Sequence, residues 1–220
     1  MAMTEWFNRR ARKRNDIERK AQVAFATFQR LNQIYSVTLS IESHLREGIE
    51  RAQQARSYNF LTTQALQRMA APIYFPVEEI WTLTQIGGAD LGNSVGSLDH
   101  AFNLLLNALD DYGVKRDVLM NEMPPPTRAE GYKGTMEVDE TEILRLTPQI
   151  GALELAIEQL HPMAQRLALE AFEALCKVVG AESLPLGKSF EVGLVTPDGQ
   201  KVVIKAGNPK PRLDATASQD

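Results

Sequence analysis

Apolar residues recur at alternating steps of four and three from Ile17 through Ala21, Ala24, Phe28, Leu31 and Tyr35. The stripe then moves over to Ile34, Val37, Ile41, Leu45, Ile49 and Ala52. A period near 3.5 residues with one phase shift predicts a long helix with a coiled-coil-like seam and a local stagger. Little opposes it, because the first proline is Pro72 and a single glycine, Gly48, precedes it. About fifty helical residues span ~75 Å at ~1.5 Å per residue. Ser57, Tyr58 and Asn59 offer a break and a cap for a shorter helix through Leu61, Ala65, Leu66 and Met69, since Ser and Asn compete for backbone hydrogen bonds at helix starts.

Pro72 and Pro76 bracket an extended connector, and Pro76 suits the first position of a second helix with Glu78 and Glu79 in its positive first turn. Its seam runs Leu91, Val95, Leu98, Phe102, Leu105 and Leu109, with Gly113 as an expected C-terminal cap. Residues 4–112 thus read as a helical hairpin whose second arm packs antiparallel to the first. Residues 113–137, holding Pro124, Pro125, Pro126, Gly131 and Gly134, read as a long loop.

A third seam, over residues 138–180, passes through Ile143, Leu146, Ile150, Leu153, Ile157, Leu160, Ala164, Leu167, Ala171, Ala174 and Val178. Pro148 and Pro162 lie inside it and predict bends or breaks. Beyond Pro185 the period changes to two, at Phe190, Val192 and Leu194 and again at Val202 and Ile204, around Thr196, Pro197, Asp198 and Gly199. That is the signature of a β-hairpin within 186–206. Residues 207–220 read as a disordered tail. The expected fold is mainly α, an elongated antiparallel bundle of long helices with a small C-terminal β-hairpin.

Composition narrows the class. With 44% apolar and 24% charged residues over 220 positions, the chain has the balance of a soluble folded protein. The lone Cys176 excludes an internal disulfide framework and fits a reducing compartment, with the cytoplasm as the expectation. No run of about eighteen apolar residues occurs, so no membrane span is expected. Charge is uneven: residues 1–71 hold 12 of the 24 Lys and Arg against 6 of the 28 Asp and Glu, leaving the first third near +6 and the remainder near −10.

The basic cluster Arg9, Arg10, Arg12, Lys13, Arg14, Arg19 and Lys20 is the main functional candidate. It suits phosphates of any nucleic acid, an anionic lipid surface or a protein partner, and equally a solvated helix end. Trp6 and Phe7 beside it suggest burial against a neighbouring helix or subunit, ahead of a membrane interface. Gly88, Gly92 and Gly96, four apart, fit close helix packing, while a break at Gly87 and Gly88 competes.

Catalytic signals are weak. Glu158 and His161 form one Glu-x-x-His pair where a dinuclear bundle site needs more. Gly187, Lys188 and Ser189 end like a phosphate loop but precede a strand. Cys176, among Leu175, Val178 and Val179, reads as a small buried apolar residue. No catalytic residue, cofactor or metal is expected. The leading expectation is a self-associating helical scaffold or adaptor, its assembly core being Phe28, Leu31, Leu98, Phe102, Leu105, Ile150, Leu153, Ile157 and Leu160, with partners that are itself or other proteins. The alternative is sequence-independent nucleic-acid binding through the basic arm.

Overall fold

The computed structural model describes residues 2–123, 128–130, 133–135, 139–181, 190–206 and 208–213, with side chains for 6–123, 139–181, 190–206, 208 and 210–213. It is mainly α, with long helices packing against each other and a small antiparallel sheet at the C-terminus. The helices are α1 (Ala2–Ala55), α2 (Asn59–Thr62), α3 (Val77–Glu122) and α4 (Glu140–Gly180). Strands β1 (Arg128–Glu130) and β2 (Lys133–Thr135) form one antiparallel pair; β3 (Glu191–Val195), β4 (Lys201–Lys205) and β5 (Asn208–Leu213) form a second sheet in that order. The chain divides into two compact units. The first comprises Met1–Leu39, Pro72–Asn103 and Gln165–Asp220, the second Ser40–Ala71 and Leu104–Ala164.

In the first unit, α3 is two helical pieces joined at Gly88, whose φ of 84° and ψ of 174° belong to a region that essentially only glycine occupies. The chain reverses there. A Cβ on Gly92 would lie 2.0 Å from Thr84 Oγ1, and one on Gly96 3.3 Å from Ile80 Cδ1. Thr84 and Gly92 are each four residues from Gly88, and Ile80 and Gly96 are each eight, so the pieces fold back along a strip of small residues. The break and the close approach foreseen as rivals are parts of one device.

The connector before α3 is strapped to the helix it precedes. Ile73 N donates to Asn103 Oδ1 at 3.1 Å, Asn103 Nδ2 donates to Ile73 O at 2.8 Å, and Phe75 N donates to Asp99 Oδ2 at 3.2 Å. A two-residue step along the extended chain matches a four-residue step along the helix, and the connector's polar groups are satisfied without strand partners.

The C-terminal sheet sets Val192 against Ile204 and Leu194 against Val202, and Leu194, Val202 and Ile204 are buried. Phe190 meets Phe28 edge to face at 5.6 Å. The third strand corrects the expectation of disorder from residue 207 onward. Proline is excluded from the middle of a sheet, but Pro209 and Pro211, two apart, place both nitrogens on one side, which an edge strand tolerates. Residues 214–220 lie outside the described residues.

In the second unit, α1 does break after Ala55, but the helix that follows is one turn, not a run through Met69. Its start has no side-chain cap of its own. Glu154 of α4 supplies one: Oε1 accepts from Phe60 N at 3.0 Å and Oε2 from Asn59 Nδ2 at 2.9 Å. Arg116 Nε donates to Phe60 O at 2.9 Å, Tyr112 Oη to Thr63 O at 3.0 Å, and Arg68 N to Asp110 Oδ1 at 3.0 Å. Tertiary partners replace the local ladder and hold 59–68 in a largely non-helical path.

Two helices also run further without a break than expected. Helix α3 continues through Gly113 to Glu122, so the loop begins later than residue 113. Gly113 is not a cap; it is where the helix meets Gln67, whose Cγ would lie 2.7 Å from an added Cβ. Helix α4 runs through Pro148 and Pro162 without interruption. Both prolines are exposed, as are Leu144 and Glu158 four residues earlier, so the carbonyls the prolines leave unpaired lie on the solvated side.

Candidate functional site

The nine residues expected to form an assembly core lie within the chain's own packing. Leu31, Leu98, Phe102, Leu105, Leu153, Ile157 and Leu160 are buried, and Phe28 and Ile150 are partly buried. The seven buried residues offer no surface to a partner, while Phe28 and Ile150 are partly accessible.

The basic cluster does offer a surface. From Trp6 to Arg19 every residue of α1 is exposed, and Lys20 is half-buried. At ~100° per residue, Arg9, Arg12, Lys13, Arg19 and Lys20 share an arc of about 120°. Trp6, Ile17, Phe7 and Ala11 occupy the adjoining arc of about 140°, with Trp6 about 20° from Lys13 and with Arg10 and Arg14 between Ile17 and Phe7. The Arg10 guanidinium stands 5.2 Å from the Trp6 ring centroid, and Phe7 meets Trp6 edge to face at 5.1 Å. Arg14 pairs with Glu18 at 2.8 Å, and that hydrogen bond raises the guanidinium's pKa further; Lys20 pairs with Asp16 at 2.9 Å. Arg9, Arg12, Lys13 and Arg19 form no ion pair with a residue whose side chain is described. Trp6, Phe7 and Ile17 are each more than half exposed, which is uncommon for neighbouring large apolar side chains on one helix segment.

A second surface belongs to α3 and α4 in the second unit and was missed in the sequence, because the helix was expected to stop at Gly113. Val114, Lys115 and Val118 form one wall of a groove of about 380 Å³, and Pro148, Gln149, Ala152 and Leu153 form the other. The signal was present: Tyr112 and Leu119, seven apart, continue the buried seam past the glycine, which turns Val114 and Val118 outward. Acidic side chains edge this surface. Asp111 pairs with Lys115 at 2.6 Å, and Glu122 binds Arg145 at 2.9 Å and Gln149 Nε2 at 3.2 Å.

Residues suggestive of chemistry do not converge. His161 Nε2 lies 3.4 Å from Glu42 Oε1, which also faces Arg46 Nε at 3.3 Å, while Glu158 is exposed. His44 contacts Gln64 O at 3.1 Å, and His100 is exposed. Among the described residues no three His, Cys, Asp or Glu side chains gather as metal ligands. Cys176 is buried, and burial pushes its thiol up to about 11, which leaves it protonated at neutral pH. The segment Gly187, Lys188 and Ser189 lies outside the described residues. No described helix is long and apolar enough to cross a membrane. No protein-family profile matches the chain, and no curated protein or solved structure matches it.

Proposed function

We propose that this protein is a non-catalytic, self-associating helical scaffold or adaptor. The observation that carries the reading is the pairing of filled internal seams with large apolar side chains left at the surface of the same helices. Leu98, Phe102, Ile157 and Leu160 are buried, yet Trp6, Phe7, Val114, Val118 and Leu144 are at least half exposed. Isolated exposed apolar residues are ordinary, but Val114 and Val118 line one continuous groove and Trp6 and Phe7 meet edge to face as a pair. The test is the absolute mass in solution by light scattering on nuclease-treated protein. A concentration-dependent oligomer is expected; a monomer across the accessible concentration range rejects the reading.

The exposed face of Arg9, Arg12, Lys13 and Arg19 supports a second reading, sequence-independent binding of nucleic acid. It requires affinity for duplex DNA or RNA that falls steeply with salt, and that drops when these four residues are replaced by Gln. Unchanged affinity in the variant removes it.

A further inference from the structure

The arm and the groove are complementary in shape class and in charge. The arm, residues 6–20, carries seven Lys and Arg against Asp16 and Glu18. The helical stretches that build the groove, residues 104–122 and 139–154, carry eight Asp and Glu against three Lys and Arg. The arm presents an exposed aromatic pair with a guanidinium stacked on it, while the groove offers a largely apolar cleft of about 380 Å³ whose charged lining residue, Lys115, is already paired with Asp111, and Glu122 beside it is paired with Arg145. Trp and Arg anchoring in a desolvated pocket, surrounded by opposite charge, is the pattern that concentrates binding energy at interfaces.

We propose that Trp6 and Phe7 of one copy dock in the groove lined by Val118 and Ala152 of a second copy, with the arm's basic face lying along that copy's acidic helices. The inference rests on the self-association reading and names its interface. Charge favours this occupant over a lipid surface or a nucleic acid. An anionic polymer or bilayer attracts the arm but repels the remaining two-thirds of the chain, which is near −10; a second copy meets the arm with that same acidic remainder. The contact is heterologous, arm to groove, so an open assembly keeps one free arm at one end and one free groove at the other unless a ring closes.

Light scattering on three samples tests it: wild type, an arm variant (Trp6→Ala with Phe7→Ala) and a groove variant (Val118→Lys with Ala152→Lys), each checked for unchanged helical circular dichroism. Should the groove variant lose helicity, Pro148→Lys, at an exposed position, replaces it. Wild type is expected to be oligomeric and to dissociate at high salt. Each variant alone is expected to be monomeric, and their equimolar mixture to form a dimer, because a single intact arm then faces a single intact groove. An oligomeric wild type whose variants keep its mass, or a mixture that stays monomeric, overturns this interface and leaves self-association standing. A monomeric wild type overturns both. A monomer whose arm binds phosphatidylserine vesicles or duplex DNA assigns the arm to that partner and overturns the proposal.

Discussion

The hydroxyl of Tyr35, on α1, donates to the backbone carbonyl oxygen of Val195 at the end of β3, a bond between residues 160 positions apart. The Tyr35 ring also rests 5.7 Å from the Phe172 ring on α4. Hydrogen-bonding groups in β3 alternate sides, and the pairing of Leu194 with Val202 turns Val195 O away from β4. Tyr35 therefore satisfies an edge carbonyl and ties the small sheet to the helices, which a few strands need to be stable in water. Tyr35→Phe keeps the ring and removes that donor. We expect a loss of about 1–2 kcal/mol in unfolding free energy, with faster amide exchange in β3 and β4. A denaturant midpoint and exchange pattern matching wild type would refute the tether.

Alkaline pH should loosen the protein through two tyrosines. Burial pushes the Tyr35 phenol up to about 12 and the Tyr112 phenol up to about 12, the latter against an opposing pull from Arg116. The unfolded chain releases these protons near pH 10. Both folded values are raised, so the native state holds more protons than the unfolded state between about pH 10 and 12, and stability falls with rising pH across that window. Below pH 10 the contribution is fully present. Urea midpoints at pH 9 and pH 11 measure it, and in the double variant Tyr35→Phe with Tyr112→Phe this alkaline slope should flatten.

The reversal at Gly88 predicts opposite responses to one substitution type. Gly88→Ala forces a side chain into a positive-φ conformation and should cost about 1–3 kcal/mol, although space is open there. Gly92→Ala keeps a permitted conformation but drives Cβ into Thr84 Oγ1; Thr84→Ala should recover part of its loss, since the two residues meet. Gly151→Ala, in α4 with nothing within 4 Å, should stabilise by roughly 0.5–1 kcal/mol. Thermal melts of the four variants check all the signs together. Equal effects at Gly88 and Gly151 would contradict the kink.

Glu154 caps a helix that it does not belong to. Glu154→Ala leaves Phe60 N and Asn59 Nδ2 without their acceptor and should cost about 1–3 kcal/mol. Glu154→Gln, which retains one carbonyl oxygen, should cost less. Limited proteolysis around Ser57 ought to accelerate in the same order, and an unchanged cleavage pattern in the alanine variant would show that the cap is dispensable.

The candidate surfaces were unevenly legible. The basic arm is a property of composition at consecutive positions, and its exposure follows from a segment whose apolar residues are too few to bury. The groove depends on α3 continuing past Gly113. In sequence that glycine resembles a cap; in the fold it admits Gln67, a contact from 46 residues away that no local pattern encodes.

Sequence alone determined the helical seams and the turn at Thr196–Gly199, and it offered breaks near Ser57 and Gly88 as open alternatives, because each rests on local periodicity or on the φ and ψ that a residue type permits. Tertiary structure decided the rest. Residues 59–68 lose their helix to side chains of α3 and α4, Pro148 and Pro162 stay helical because their orphaned carbonyls face solvent, and residues 208–213 become a strand because β4 offers an edge. In each case a long-range hydrogen-bond partner, or solvent at the right face, outweighs a local preference of about 1–3 kcal/mol.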